Sequence, residues 1–154
     1  MLDYFHIVLF LHILGAIAGF GPTFAYAFMT PSKDNPTSVT TTVETIQRIQ
    51  ARLVLPVIVI QPITGALLIF ASGRDEGFWQ HEWLWVAIAI YAVLFVLALA
   101  IDAPSGRRSL QMVRSNRLDA PEFRREVKLQ STLGPILGVG VLVIIVLMVF
   151  KPGD

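Results

Sequence analysis

Residues 4–29 read YFHIVLFLHILGAIAGFGPTFAYAFM, a stretch without lysine, arginine, aspartate or glutamate. At 1.5 Å of helical rise per residue, about 20 apolar residues cross the ~30 Å hydrocarbon core of a bilayer. Backbone groups in lipid must find their hydrogen bonds within the segment, as they do in an α-helix. The stretch therefore predicts a membrane-spanning helix. We interpret it as retained, because a cleavable signal peptide carries basic residues ahead of its apolar run.

Three more apolar segments follow, at residues 53–71, 83–101 and 133–150. Hydrophobic residues make up 55% of the chain and charged residues 15%, whereas soluble proteins average about 45–50% and about 25%. Runs such as VLVIIVLMVF lack the alternation of a membrane β-strand. The sequence predicts an all-α polytopic membrane protein, a bundle of four transmembrane helices that forms a single domain over residues 1–154.

The basic residues are concentrated in two connections, which a four-span topology puts on the same side of the membrane. Ten of the 12 lysines and arginines lie in residues 30–52 and 102–132, and the other two are Arg74 and Lys151. The positive-inside rule then predicts cytoplasmic connections and both termini outside, in a bacterial inner membrane. The basic residues would contact anionic lipid headgroups or a partner subunit. Since they are mixed with acidic residues and form no reading motif, nucleic acid is not a predicted partner.

Both basic connections also carry helical patterns. Apolar residues recur at helical spacing ahead of the second span: Val39, Val43, Ile46, Ile49 and Leu53. This spacing predicts an amphipathic extension of that span. Pro121 suits the first turn of a helix that leads into the fourth span, and Ser105 suits the cap of another short helix. Trp79, Trp83 and Trp85 cluster at the opposite end of the third span, as in an interfacial aromatic belt.

His12 lies inside the first span, on the same helical face as Gly15, Gly19 and Thr23. Small residues on one face allow another helix, or a flat ligand, to approach the backbone closely. Two interpretations stay open. In the first, neutral His12 forms a hydrogen bond with Gln61 in the second span. In the second, His12 is an axial ligand of haem b, held in a slot beside Gly15 and Gly19.

Proline and glycine mark the second and fourth spans. Pro62 removes a backbone donor and leaves the carbonyl four residues earlier without its helical partner. The favoured interpretation is a kink with Gly65 at a close helix contact, and the alternative is a ligand pocket beside the kink. The fourth span repeats this pattern at Gly134, Pro135 and Gly138. Tyr91 in the third span needs a hydrogen-bond partner if its hydroxyl is buried.

Few ionisable residues lie close to the spans. Asp102 ends the third span and is interpreted as a boundary charge, while His6 and His81, with Asp3 or Glu82, offer an alternative metal site at the outer surface. Lysine, arginine, aspartate and glutamate are absent from the four spans. Ion-coupled transporters normally carry such residues within the membrane, so a small transporter is the weakest functional hypothesis.

The segments LHILGAIAGFGPTFAYAF, QPITGALLI and WLWVAIAIYAV resemble a bacterial family of predicted four-span integral membrane proteins, classed as a domain of unknown function. The resemblance covers most of the chain and implies the fold.

More distantly, the first span is similar to copper-resistance D-type membrane proteins and to the bacterial four-helix membrane protoporphyrinogen oxidase. The latter resemblance implies haem, carried by His12. The chain departs from the oxidase pattern, because no arginine or lysine follows in the first span. It departs from the copper pattern, because it has no second intramembrane histidine or methionine cluster.

The favoured function is therefore a non-enzymatic accessory protein, or a subunit of a larger membrane complex, surrounded by lipid and packed against other subunits. The first alternative is a b-type haem-binding membrane redox protein with His12 as axial ligand. No catalytic residue is predicted.

Overall fold

The computed structural model describes residues 3–26, 28–29, 35–73 and 80–153, which form helices and short turns without a β-strand. The helices are α1 (Tyr4–Tyr26), α2 (Pro36–Ile49), α3 (Leu55–Ala71), α4 (Glu82–Val96), α5 (Ala103–Arg114) and α6 (Pro121–Phe150). The all-α prediction is confirmed. Lys33, Arg74 and Trp79 lie outside the described residues.

Two pairs of these helices are continuous. The α2 helix runs into α3 over Pro36–Ala71, which is 36 residues, and α4 runs into α5 over Glu82–Arg114, which is 33 residues. Together with α1 and α6 they are four helices long and apolar enough to cross a membrane. At 1.5 Å per residue the two continuous helices are about 54 and about 50 Å long, against a hydrocarbon core of ~30 Å. The predicted amphipathic extension of the second span is confirmed, and so is the helix start at Pro121.

A π-helical turn joins the two halves of each continuous helix. The turns cover Gln50–Val54 and Leu97–Asp102, and each ends with a backbone N–H bonded to the carbonyl five residues earlier. Pro56 and Pro104 follow within two residues. A proline ring in a regular helix clashes with the carbonyl four residues earlier. The wider turn gives the ring room, so the helix continues past the proline.

Ser105 does not cap a separate short helix, so that prediction is wrong. The chain enters α5 directly from the second π-helical turn, and its backbone N–H groups already have helical acceptors. The Ser105 side chain is therefore available for a tertiary contact. It donates a 2.6 Å hydrogen bond to Oε2 of Glu126 in α6.

The helices associate as two pairs. The α1 helix packs against α3, α4 packs against α6, and contacts between α1 and α6 join the pairs. Gly138 faces α1, since a Cβ there would lie 3.6 Å from Cε1 of Phe24, an ordinary van der Waals distance. Gly140 is covered by Leu94 of α4. Beyond the apolar segments, α5 packs between α2 and α6.

Large apolar side chains cover the outside of the bundle. Phe10, Phe70 and Val149 are 63%, 66% and 67% exposed. Soluble proteins rarely expose extended apolar surfaces, whereas lipid covers them in a membrane. The exposed apolar surface and the lengths of the four helices together indicate a multi-pass integral membrane protein.

Candidate functional site

Three polar side chains meet between α1 and α3, and we call them the His12 cluster: His12, Gln61 and Thr64. Nδ1 of His12 lies 2.8 Å from Oγ1 of Thr64. The amide nitrogen of Gln61 donates a 3.0 Å hydrogen bond to the backbone oxygen of His12. The same nitrogen lies 3.3 Å from Nδ1 and 3.5 Å from Nε2 of the imidazole. Both ring nitrogens thus have polar neighbours within the chain.

The direction of the Thr64 hydrogen bond places a proton on Nδ1 of His12. The Thr64 hydroxyl donates to the carbonyl oxygen of Gln61 at 2.9 Å, so its oxygen is left to accept from His12. Nδ1 therefore carries the proton, and because the polar atom beside Nε2 is the Gln61 amide nitrogen, itself a donor, we assign Nε2 the lone pair of a neutral imidazole. Thr64 was not among the site residues predicted from the sequence. Its spacing of three residues from Gln61 on one helical face was the available signal.

Two glycines bring the helices close enough for these hydrogen bonds. A Cβ on Gly15 would lie 2.5 Å from Oε1 of Gln61, and a Cβ on Gly65 would lie 3.4 Å from Cε1 of His12. The space beside Gly15 is therefore filled by the Gln61 amide, and the space beside Gly65 is filled by the imidazole.

Pro62 lies inside α3 and lacks the N–H that would bond to the carbonyl of Ile58. The hydroxyl of Tyr91 in α4 donates a 2.5 Å hydrogen bond to that carbonyl oxygen. The proline thus creates an acceptor inside the bundle, and the tyrosine of a neighbouring helix satisfies it. The hydroxyl of Tyr91 thus lies beside Pro62, where a ligand pocket was the alternative.

The remaining predicted glycines divide into packed and open positions. Gly19 is packed, since a Cβ there would lie 2.8 Å from Cγ1 of Val57. Gly138 is packed against α1 as described above. Gly134 is open, because a Cβ there would meet no atom of the described chain within 4 Å. Gly134 and Pro135 are both exposed, so this face of α6 makes no helix contact in the described chain.

A second polar cluster lies where the two π-helical turns meet. The amide of Gln50 donates a 2.6 Å hydrogen bond to Oδ2 of Asp102. Gln47, one turn earlier, donates a 3.3 Å hydrogen bond to Oε1 of Gln50 and lies directly over Gly106. Asp102 is thus a tertiary acceptor and not only a boundary charge. The two glutamines were missed, although their spacing of three residues puts them on one helical face.

Glu126 connects α5 and α6 beyond the apolar segments. Its carboxylate accepts hydrogen bonds from the hydroxyl of Ser105 and from Nε of Arg108, each at 2.6 Å. The Arg108 hydrogen bond holds the pKa of Glu126 below its usual range, and the Ser105 hydrogen bond acts in the same direction. The carboxylate is therefore ionised at neutral pH, which keeps this contact charged.

The tryptophans at the other end of the bundle have different environments. Trp83 is buried, and Nζ of Lys151 lies 5.9 Å from the centroid of its ring. Trp85 is 41% exposed, as an interfacial residue would be. Trp79, the third residue of the predicted belt, lies outside the described residues.

The described residues contain no group of three or more histidine, aspartate or glutamate side chains that could hold a metal ion. Near the start of α1, Nδ1 of His6 lies 3.9 Å from a carboxylate oxygen of Asp3. Within the part of the chain that the structure describes, His6 and His81 belong to no larger ligand group.

Comparison with known proteins yields one family. A family model described as "Predicted integral membrane protein (DUF2269)" matches residues 6–152. No curated protein and no solved structure matches the chain significantly. The likeness to copper-resistance D-type proteins and to the four-helix oxidase therefore stays a prediction.

Proposed function

The chain belongs to the predicted integral membrane protein family DUF2269, and from this premise we propose that it is a non-enzymatic accessory protein or complex subunit of the bacterial inner membrane. The His12 cluster is the observation that supports this proposal. Thr64 is hydrogen-bonded to the imidazole of His12 and Gln61 to the backbone oxygen of His12, so these contacts hold α1 and α3 together. The hydroxyl of Tyr91 serves the same purpose between α3 and α4.

Haem b binding by His12 is the alternative that the proposal has to exclude. An axial bond would require Nε2 of His12 to turn away from the Gln61 amide nitrogen, which is 3.5 Å distant. A macrocycle beside Gly15 would also have to displace the Gln61 side chain. Helix packing explains the same residues without either movement.

We further propose that the basic connections lie in the cytoplasm and that both termini lie outside. The described basic residues at that end are Arg48, Arg52, Arg107, Arg108, Arg114, Arg117, Arg124, Arg125 and Lys128. Such an excess on one side favours retention in the cytoplasm.

Because the chain has no cysteine, single-cysteine variants test this orientation. Asp119 and Pro152 are both exposed and lie at opposite ends of α6. In intact spheroplasts, Pro152→Cys should react with a membrane-impermeant maleimide and Asp119→Cys should react only after lysis. The reverse pattern would overturn the orientation.

The subunit proposal is tested by purifying a tagged chain, expressed at its native level, in mild detergent. We expect a colourless protein that migrates with a larger assembly on native gels. A Soret band that disappears in His12→Gln would replace the proposal with the haem alternative. Migration of the native-level protein as a free single chain would contradict the subunit role.

The open face of α6 provides a matched pair of variants for the same experiment. Gly134→Leu adds a side chain where the described chain has no neighbour, so the protein should fold but leave the assembly. Gly140→Leu adds the same side chain against Leu94, so the yield of folded protein itself should fall. An assembly unaffected by Gly134→Leu would show that partners do not use this face.

A further inference from the structure

An open groove runs between α2 and α5, beside the two π-helical turns. Its volume is about 520 Å³, and the polar residues lining it are Glu44, Gln47, Arg48, Arg52 and Arg114. Two of the arginines come from α2 or the adjoining π-helical turn, and the third faces them from α5. The groove is thus a concave surface with cationic groups on both walls.

The charges in this groove are not balanced within the chain. Three guanidinium groups face one carboxylate, that of Glu44, and Nε of Arg114 lies 3.7 Å from its Oε1. Arg48 and Arg52 form none of the ion pairs found among the described residues. Like charges one helical turn apart repel each other unless an anion lies between them. Arg108 outside the groove, by contrast, is paired with Glu126.

The position of these arginines relative to the apolar segment favours a lipid phosphate as the anion. Arg52 directly precedes the apolar segment that starts at Leu53. Arg48 lies four residues before Arg52, which is about 6 Å along the helix axis. The headgroup layer on each side of a bilayer is about 5–8 Å thick, since the total thickness is ~40–45 Å and the hydrocarbon core is ~30 Å. Counted from Leu53, the backbone positions of Arg52 and Arg48 fall within the thickness of that layer.

We propose that this groove binds the phosphate group of an anionic phospholipid through Arg48 and Arg52, with Arg114 lining the outer end of the opposite wall. The planar guanidinium fork matches two phosphate oxygens at once, which a single ammonium group does not. Basic pockets between transmembrane helices are known to hold lipid headgroups. Free phosphate shares this chemistry, but Arg52 at one end of the groove adjoins the apolar segment, where a headgroup tethered by its acyl chains is concentrated.

The experiment titrates the purified full-length protein in mild detergent with dioctanoyl phosphatidic acid and measures binding by native mass spectrometry. The variant Arg48→Gln/Arg52→Gln should weaken binding about tenfold or more, because it removes two charge-assisted sets of hydrogen bonds. The control Arg107→Gln/Arg124→Gln removes the same charge outside the groove and should change binding less than about twofold. Equal loss in the two variants would overturn the proposal in favour of diffuse surface charge.

Two further arms separate a lipid site from a general anion site. Dioctanoyl phosphatidylcholine has the same chains but no net charge, and it should bind at least about tenfold more weakly than phosphatidic acid. Inorganic phosphate that displaces phosphatidic acid at equal concentration would overturn the lipid assignment. Arg48→Lys/Arg52→Lys keeps the positive charge but loses the planar guanidinium groups. We expect its binding of phosphatidic acid to lie between that of the unmodified protein and that of the glutamine variant. The lysine variant can be tested even if the glutamine variant does not fold. If the lysine variant bound phosphatidic acid as tightly as the unmodified protein, the proposed guanidinium contacts would be wrong.

Discussion

The hydroxyl oxygen of Tyr91 lies 2.5 Å from the carbonyl oxygen of Ile58, the acceptor that Pro62 leaves without a helical donor. A helix defect in α3 is thereby repaired by a side chain of α4. Water cannot reach such an acceptor in lipid, so the contact joins the two helices at a point where the backbone itself requires a partner. The proline and the tyrosine are consequently one structural unit.

Tyr91→Phe should lower the free energy of unfolding by about 0.5–1.5 kcal/mol, with ~0.6 kcal/mol as the value typical of membrane hydrogen bonds. The ring is retained, so the loss reports the hydroxyl alone. Denaturation in detergent micelles measures it. Tyr4→Phe is the matched control, because Tyr4 is 60% exposed and should unfold like the unmodified protein.

The link between Pro62 and Tyr91 makes their substitutions non-additive. Pro62→Ala supplies a backbone N–H that can donate to Ile58, so the hydroxyl of Tyr91 becomes less necessary. In a double-mutant cycle, Tyr91→Phe should therefore cost less in the Pro62→Ala background. Additive effects would show that the two residues act independently.

Gly19→Ala should lower the free energy of unfolding by about 1–3 kcal/mol, as overpacking at close helix contacts does. The added methyl would lie 2.8 Å from Cγ1 of Val57, and a β-branched side chain has few alternative rotamers. Gly21→Ala on the same helix meets no atom within 4 Å in the described chain. It should be neutral, or stabilising by up to about 1 kcal/mol through helix propensity.

Val57→Ala provides the complementary test of this packing. The smaller side chain makes room for the methyl, so Gly19→Ala should cost less in the Val57→Ala background. If both backgrounds give the same loss, the effect of Gly19→Ala arises from the helix itself and not from the α1–α3 contact.

Asp102→Ala should lower the free energy of unfolding by about 1–3 kcal/mol, because the amide of Gln50 loses its acceptor in a buried position. Asp102→Asn keeps a carbonyl oxygen and should retain most of the stability. Thermal unfolding of the two variants distinguishes hydrogen bonding from charge. Equal losses would indicate that the negative charge of Asp102 is what matters.

The contact between Glu126 and Arg108 should make the stability of the fold depend on pH. Its pKa is lowered in the folded protein, chiefly by the hydrogen bond from Arg108, from an ordinary value of 4.5. The resulting stabilisation is therefore present above pH 4.5 and is lost as the pH falls through the lower folded-state pKa. Glu126→Gln should melt at a lower temperature than the unmodified protein at pH 7, and the two should converge on acidification. A difference that persists in acid would contradict the ionised contact.

The four helices follow from the sequence because hydropathy is a local property. The apolar stretch of residues 4–29 and the amphipathic pattern ahead of Leu53 identify their elements without knowledge of neighbours. The π-helical turns were not predicted. Their signals were Pro56 and Pro104, which interrupt otherwise helical patterns at equivalent depths.

The candidate site was predictable only in its separate parts. His12 with Gln61, the free carbonyl before Pro62, and the unsatisfied hydroxyl of Tyr91 can each be recognised in one segment. That Tyr91 reaches Ile58 depends on the relative height of α3 and α4, which periodicity within a helix does not encode. The same limit applies to the groove, whose walls come from α2 and α5.

The paired π-helical turns also have a consequence for rotational register. A regular α-helix advances about 100° per residue, so the surplus residue of a wide turn rotates everything beyond it by roughly that angle. Both continuous helices contain such a turn, and Gln50 and Asp102 align the two turns at one level. The face that each basic half presents is thereby rotated by a fixed angle relative to the face of its apolar half. A single helical wheel drawn across either turn therefore assigns the residues beyond it to the wrong face.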